Sequence, residues 1–280
     1  MEDVHASASE NNNHVKAQKG SRLSRYLKAS IPADTHIIEF ELLLLSFATG
    51  MQDAIAYPDF ACFASNQTGN TIILAIGALD ISSPHSSSHV DLINAVISLS
   101  CFAAGILTLG QLANWFGIRH LRWWLLASNL WQTVLMAVAA ILAHAADNDT
   151  KPRFRKAALA MLALSSGSQV GMVRALKITD ITTAMVTAAY IDIFIDPSLF
   201  AGVTRNRQRN RRVGFLSMLI VGSFVGAVAY RYVGSAATLG ICTGMKGLVT
   251  GLFLLNKGIE EEGEKGDLEK ATRRKACVAS

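Results

Sequence analysis

Residues 47–74 read FATGMQDAIAYPDFACFASNQTGNTIIL, and the fold turns on how this stretch is read. Its background is apolar, like that of a membrane segment, yet it carries Gln52, Asp53, Asn66, Gln67, Thr68 and Asn70. In hydrocarbon every polar group must find a partner inside the protein. Six such groups in one stretch therefore mark a place where the chain meets itself, water or a ligand.

The surroundings favour a membrane. The chain has 280 residues, 51% hydrophobic and only 17% charged, where a soluble domain carries about 25% charge. The charges collect at the two ends and in three internal loops. Residues 1–30 are polar, lack an apolar signal-peptide core and read as a disordered cytosolic tail. Residues 257–280 read as a second, charged cytosolic tail, and 37–256 as one transmembrane domain. Cys62, Cys101, Cys242 and Cys277 show neither zinc spacing nor a disulfide framework.

The expected fold is all-α, a polytopic transmembrane helix bundle. Eight apolar segments stand out, at about 37–57, 60–79, 90–115, 123–146, 157–174, 178–196, 213–233 and 236–256. Pro58 would part the first two, and Pro197 would end the sixth. Eight spans put three basic clusters on one face: Lys19 to Lys28, Lys151 to Lys156 and Arg205 to Arg212. Arg119, Arg122, Arg174, Lys177 and Arg231 are left on the other. The rule that Lys and Arg mark the cytosol then places both termini there. A six-span chain with re-entrant segments is the alternative. Neither sequon, at Asn66 or Asn148, would be used in the eight-span arrangement.

An internal 4+4 repeat is visible. TGMQDAIA (49–56) matches SGSQVGMV (166–173) at Gly50/Gly167 and Gln52/Gln169. NQTGN (66–70) faces MVTAA (185–189), with Thr68 over Thr187, and CFAAG (101–105) faces SFVG (223–226). Four spans per unit would give two units of the same orientation. Repeats of this kind are frequent in transporters, with sites at their interface.

The run Gly50-Met51-Gln52-Asp53-Ala54, followed by Phe63-Ala64-Ser65-Asn66-Gln67-Thr68-Gly69-Asn70, resembles the YoaK-like membrane proteins, a family known as domain of unknown function 1275. Its Gly-x-x-Asp-Ala and Phe-x-x-x-x-Thr-Gly-Asn patterns are both complete here. In the second half Val170 stands where an Asn is usual, and Ala188 replaces the Gly after Thr187. The resemblance covers roughly 37–256 and implies a multi-pass membrane protein without an assigned activity.

Most single polar residues have an ordinary reading. Glu39 and Glu41 suit a helix start and can snorkel to the interface. Asn129 and Gln132 can bond between helices, and Gly222-x-x-x-Gly226 lets backbones approach. Gly240, Gly244, Gly247 and Gly251 form one smooth face suited to packing. Asp53 and Lys246 resist such readings, because a charge at mid-membrane needs a partner or a wet cavity. The candidate substrate or ion site is Gln52, Asp53, Asn66, Thr68, Gly69, Asn70, Gln169, Asp180, Thr187, Asp192 and Lys246, with Asp53 and Lys246 expected in one cavity.

Two classes of function follow. A small-molecule or ion transporter accounts for the spans, the repeat and the polar cluster. A membrane-embedded isomerase or cyclase would use Asp53 with Asp180 or Asp192 as acid and base. A non-catalytic scaffold is a third reading. No zinc motif, nucleophile elbow or phosphate loop is present, so no cofactor or metal is expected. The expected partners are membrane lipids and a small-molecule substrate, not nucleic acid. A homo-oligomer is compatible with the sequence. Cys277-Val278-Ala279-Ser280 fits a prenylation pattern.

Overall fold

The computed structural model describes residues 24, 26–32, 35–79, 91–148 and 152–256. The terminal tails, with the Cys277 pattern, lie outside the described residues, as do Asp149 and Thr150 of the second sequon. Among the described residues the fold is all-α, with no strand beyond an isolated bridge between Ser30 and Leu121. The helices are α1 (His36–Phe60), α2 (Gln67–Ala78), α3 (Leu92–Trp115), α4 (Arg122–Asn148), α5 (Pro152–Ala175), α6 (Val186–Phe194) and α7 (Arg207–Leu252). Three stretches are long and apolar enough to cross a membrane: Leu92–Trp115, Arg122–Ala146 and Arg207–Leu255.

Two expected spans are not continuous helices. In place of 60–79 stands α2, with 12 residues, and in place of 178–196 stands α6, with 9. At 1.5 Å per residue these are roughly 18 and 14 Å long, about half a bilayer core. Pro58 does not end α1. The helix runs through it to Phe60 and stops at Ala61, which adopts a left-handed conformation (φ 53°) and returns its N–H to the Tyr57 carbonyl.

The last two expected spans are one 46-residue helix broken at Gly234, where φ is 82° and ψ 175°. Glycine adopts this geometry without a Cβ penalty. The break is a hairpin, because both ends of α7 return to the start of α1. Arg207 and Arg211 pair with Glu39, and Asn256 donates to Glu41 at 2.7 Å.

Such contacts sort the helix ends. One end of the bundle gathers the starts of α1, α4 and α7. Arg122 there donates to the carbonyls of Tyr26 and Asn256, and Asp180, just after α5, meets Arg212 at 3.0 Å. At the opposite end the Asn94 amide of α3 reaches the Phe60 carbonyl of α1 at 3.0 Å. Asp59 accepts there from Tyr230 at 2.8 Å and from Ser235. The chain therefore runs the length of the bundle six times, in α1, α3, α4, α5 and the two limbs of α7. The helices α2 and α6 do not run through. Each leaves from and returns to a single end.

Two close crossings hold the bundle. In the α1–α7 crossing, a Cβ on Gly50 would fall 2.1 Å from the Leu219 carbonyl oxygen, and one on Gly222 would fall 2.1 Å from that of Phe47. In the α3–α5 crossing, one on Gly167 would fall 2.0 Å from the Phe102 oxygen and one on Gly105 2.5 Å from that of Leu164. Gly226 likewise lies against Met51, as the Gly-x-x-x-Gly spacing predicts. The glycine face of the second limb does not pack. Gly240, Gly244 and Gly251 meet nothing within 4 Å, and Gly247 only the Thr133 methyl at 3.9 Å.

The bundle buries many polar side chains among its apolar core and presents an apolar surface. Glu41, Ser46, Thr49, Gln52, Asn70, Ser98, Asn129, Gln132, Ser165, Gln169, Thr238 and Lys246 are buried, while Phe40, Leu107, Trp131, Ile141, Phe194 and Phe224 are exposed. This pattern suits a hydrocarbon surround, where apolar side chains face out and polar ones pair inside. Glu41 does not snorkel: it is fully buried against Asn256.

Candidate functional site

Halfway along the bundle lies a cavity of about 490 Å³, where α1, α3, α5 and α7 part around the starts of α2 and α6. Gly50 and Asp53 line it from α1, Phe102 and Ile106 from α3, Val170 from α5, and Leu219 and Ser223 from α7. Residues 65–68 and 184–188 close it from two sides.

The break before α2 is built by polar side chains of the opening stretch. Asp53 Oδ1 accepts from the backbone N–H groups of Ala64 (3.1 Å) and Ser65 (2.9 Å), while Oδ2 accepts from the Ser65 hydroxyl. Asn70 takes the place of a backbone partner for Phe63. Its Oδ1 accepts from the Phe63 N–H at 2.8 Å and its Nδ2 donates to the Phe63 carbonyl at 2.7 Å. Ser98 completes the brace from α3, 3.0 Å from Asn70 Nδ2. Asn66 caps α2 by accepting from the Gly69 N–H at 3.3 Å. Gly69 lies under the Phe63 ring, 2.9 Å from where a Cβ would stand, and that ring stacks on Tyr57.

The break before α6 is made differently. Lys177 and Thr183 both take positive φ, 59° each. Thr182 Oγ1 accepts from the Met185 N–H and donates to its carbonyl, both at 3.1 Å. Met185 stands at the helix start with no side-chain cap. The segment is tied by ion pairs at the bundle end: Asp180 to Arg212 (3.0 Å) and Arg211 (3.6 Å), and Asp192 to Arg212 (3.5 Å).

The predicted residues fall into four groups. Asp53, Asn66, Thr68 and Thr187 line the cavity. Gly69 and Asn70 shape it from behind, and Asp180 and Asp192 belong to the ion cluster. Gln52, Gln169 and Lys246 form a separate buried layer. Lys246 Nζ donates to Gln169 Oε1 (2.8 Å), Gln132 Oε1 (3.3 Å) and Ser165 Oγ (3.4 Å). Gln169 passes the chain on to Thr49 at 2.9 Å, and Gln52 donates to Ser166 at 2.7 Å. Lys246 thus meets three neutral oxygens rather than Asp53, and it does not line the cavity. The expected Asp53–Lys246 pair is not formed.

Sequence reasoning passed over Ser65, Phe102, Ile106 and Ser223 as site residues. Ser65 adjoins the quoted polar run, and its hydroxyl was a legible signal. Phe102 and Ile106 carry no polar signal, and only packing brings them to the cavity.

The family model described as "Protein of unknown function (DUF1275)" matches residues 42–252, and the chain belongs to that family. No curated protein and no solved structure matches the chain.

Proposed function

We propose that this DUF1275 member is a membrane transporter for a small polar solute, crossing the bilayer six times, with α2 and α6 re-entering from opposite faces. The observation that carries the reading is the central cavity, where two discontinuous helices begin midway along the bundle. Backbone breaks at such depth are tolerated where they line a cavity, and transporters place substrate sites there.

The six-crossing arrangement moves Arg153 to Lys156 away from the cytosolic face and brings Arg119, Arg122, Arg174 and Lys177 to it. Lys28, Arg119, Arg122, Arg174, Lys177 and Arg205 to Arg212 share the end that holds both termini of the described bundle. Arg153, Arg155, Lys156 and Arg231 are left at the other. The imbalance keeps both termini cytosolic, and it moves the Asn148 sequon to the non-cytosolic face.

The internal repeat becomes an inverted one. The two glycine crossings correspond at a constant offset of 117 positions: Gly167 stands to Phe102 as Gly50 stands to Leu219, and Gly105 to Leu164 as Gly222 to Phe47. Gly105 therefore pairs with Gly222, four residues away from the match read in the sequence. The equivalent helices α1 and α5 run in opposite directions. The pseudo-two-fold axis then lies in the membrane plane, a common transporter design.

The enzyme reading has lost its acid pair. Asp180 and Asp192 are held by arginines at the bundle end, and Asp53 spends both oxygens on residues 64 and 65. A scaffold would have no use for a central cavity that carries Asp53, Asn66, Thr68 and Thr187. Metabolite profiling of cells with and without the chain, followed by uptake of the affected compound into proteoliposomes, tests the proposal. A compound redistributed across the membrane and taken up supports it. A compound chemically converted, or no change of either kind, overturns it.

A further inference from the structure

A second cavity, of about 540 Å³, lies between the first and the cytosolic end. Ile106, Val170 and Met185 line both, so the two spaces adjoin across these side chains. Its charged lining has one sign: Arg119, Arg174 and Lys177, with no Asp or Glu. Arg174 donates to the Met185 sulfur at 2.8 Å, a weak acceptor. Among the described residues none of the three basic groups forms an ion pair with a carboxylate.

Basic residues are usual at a cytosolic helix end. That rule does not require three of them to share one cavity without an acid, nor that cavity to adjoin an uncapped helix start. His120 lies close to two of them. Its pKa is lowered, first by burial and then by the positive charges of Arg119 and Lys177. Beyond Met185, α6 begins without a side-chain cap, which leaves the positive end of its dipole toward the central cavity. Asp53 is the carboxylate lining that cavity, and the donors of residues 64 and 65 already surround it.

We infer that the transported solute is a small soluble anion, drawn in through Arg119, Arg174 and Lys177 and held against the start of α6. The inference rests on the transport reading above and gives it a substrate class. Rings of Arg or Lys select anions in membrane pores, and a funnel of one sign raises the local concentration of the opposite one.

Thiol reactivity reads the charge preference without knowing the solute. The full chain, with its native cysteines replaced by serine or alanine, carries a single reporter in phosphatidylcholine nanodiscs: Asn114→Cys in the basic cavity or Thr187→Cys in the central one. Each is treated with a methanethiosulfonate bearing a sulfonate and with one bearing trimethylammonium, and rates are divided by those of a free thiol. The sulfonate should react about tenfold faster at both positions. Arg119→Gln with Lys177→Gln should erase most of the preference. Arg174→Gln alone, which gives up only a contact to sulfur, should erase part of it.

Equal rates, a faster cation, or a preference untouched by neutralisation overturns the inference. So does a Thr187→Cys that neither reagent reaches. If added phosphatidylglycerol blocks both reporters, the basic cavity is a lipid-headgroup site and the inference is likewise overturned. A chain that keeps the charge preference but moves no solute into proteoliposomes loses the transport reading alone. A chain that moves only a neutral or cationic solute loses the anion alone.

Discussion

The two segments that re-enter the bundle, 61–78 and 176–194, do the same architectural job with different chemistry. The first is held from inside. Asp53 grips the backbone of Ala64 and Ser65, and Asn70 braces Phe63. In the second, α5 has no Asp or Glu and lines the cavity with Val170 where α1 has Asp53, so no carboxylate reaches its turn from α5. Asp180 and Asp192 instead fasten it to Arg211 and Arg212 at the bundle end that gathers the starts of α1, α4 and α7. Hydrogen bonds from a carboxylate to neutral donors change little with salt, whereas the half-exposed Asp192–Arg212 ion pair is screened by it. The first segment is thus built as a fixed wall and the second as a part that solution conditions can loosen.

The sharpest break of this comparison would be in sidedness. Single cysteines at Leu79, after α2, and at Gly202, after α6, should react with an impermeant maleimide from opposite faces of the membrane. Eight spans would put both on the same face, and labelling of both from one side removes the inverted relation between the segments.

Next in size is the test of the two crossings that carry the segments. Gly50→Ala and Gly167→Ala each drive a methyl into a backbone carbonyl about 2 Å away, and backbone cannot step aside as a side chain can. Overpacking costs typically 1–3 kcal/mol and more where nothing yields. Both variants should lose most of their folded protein in size-exclusion chromatography, and to a similar degree. Gly240→Ala, with open space around it, should elute as the parent does. A Gly167→Ala chain that folds normally would show the second crossing to be looser than the first.

The smallest effects separate the two anchors themselves. Asp53→Asn puts an NH₂ group among three donors and removes a charged acceptor, at a cost of about 2–3 kcal/mol. Its melting temperature should fall by the same amount at low and high salt. Asp192→Asn should cost less, about 1 kcal/mol, and its deficit should shrink as salt rises, because the parent's half-exposed ion pair with Arg212 weakens too. Equal salt responses in the two variants would erase the distinction between wall and movable part.

Much of this was legible in residues. The apolar runs locate α3, α4 and the two limbs of α7 to within a few positions, since each is a long stretch with few competing signals. The Gly and Gln matches between 49–56 and 166–173 fall on α1 and α5, where Gly50 and Gly167 each make a close crossing. The polar run 65–68 marks one wall of the cavity, and Thr187 its counterpart. Lys246 reads as a buried cation needing partners, which it has, though they are Gln132, Ser165 and Gln169 rather than Asp53.

The path of the chain was settled elsewhere. Whether 60–79 and 178–196 cross the bundle or turn back depends on where their neighbours end, and hydropathy carries no such information. An apolar residue looks the same in a half-length helix as in a full one. The sequence alone determined the all-α class, the apolar exterior and the residues that could not face lipid unpaired, because these follow from transfer free energies that each side chain brings with it. Only the tertiary structure decided the direction of each pass, the seating of Gly105 against Leu164 and of Gly222 against Phe47, and the separation of Asp53 from Lys246. Those depend on which backbone surfaces fit together at contact distance, a property of two helices at once that neither segment contains by itself.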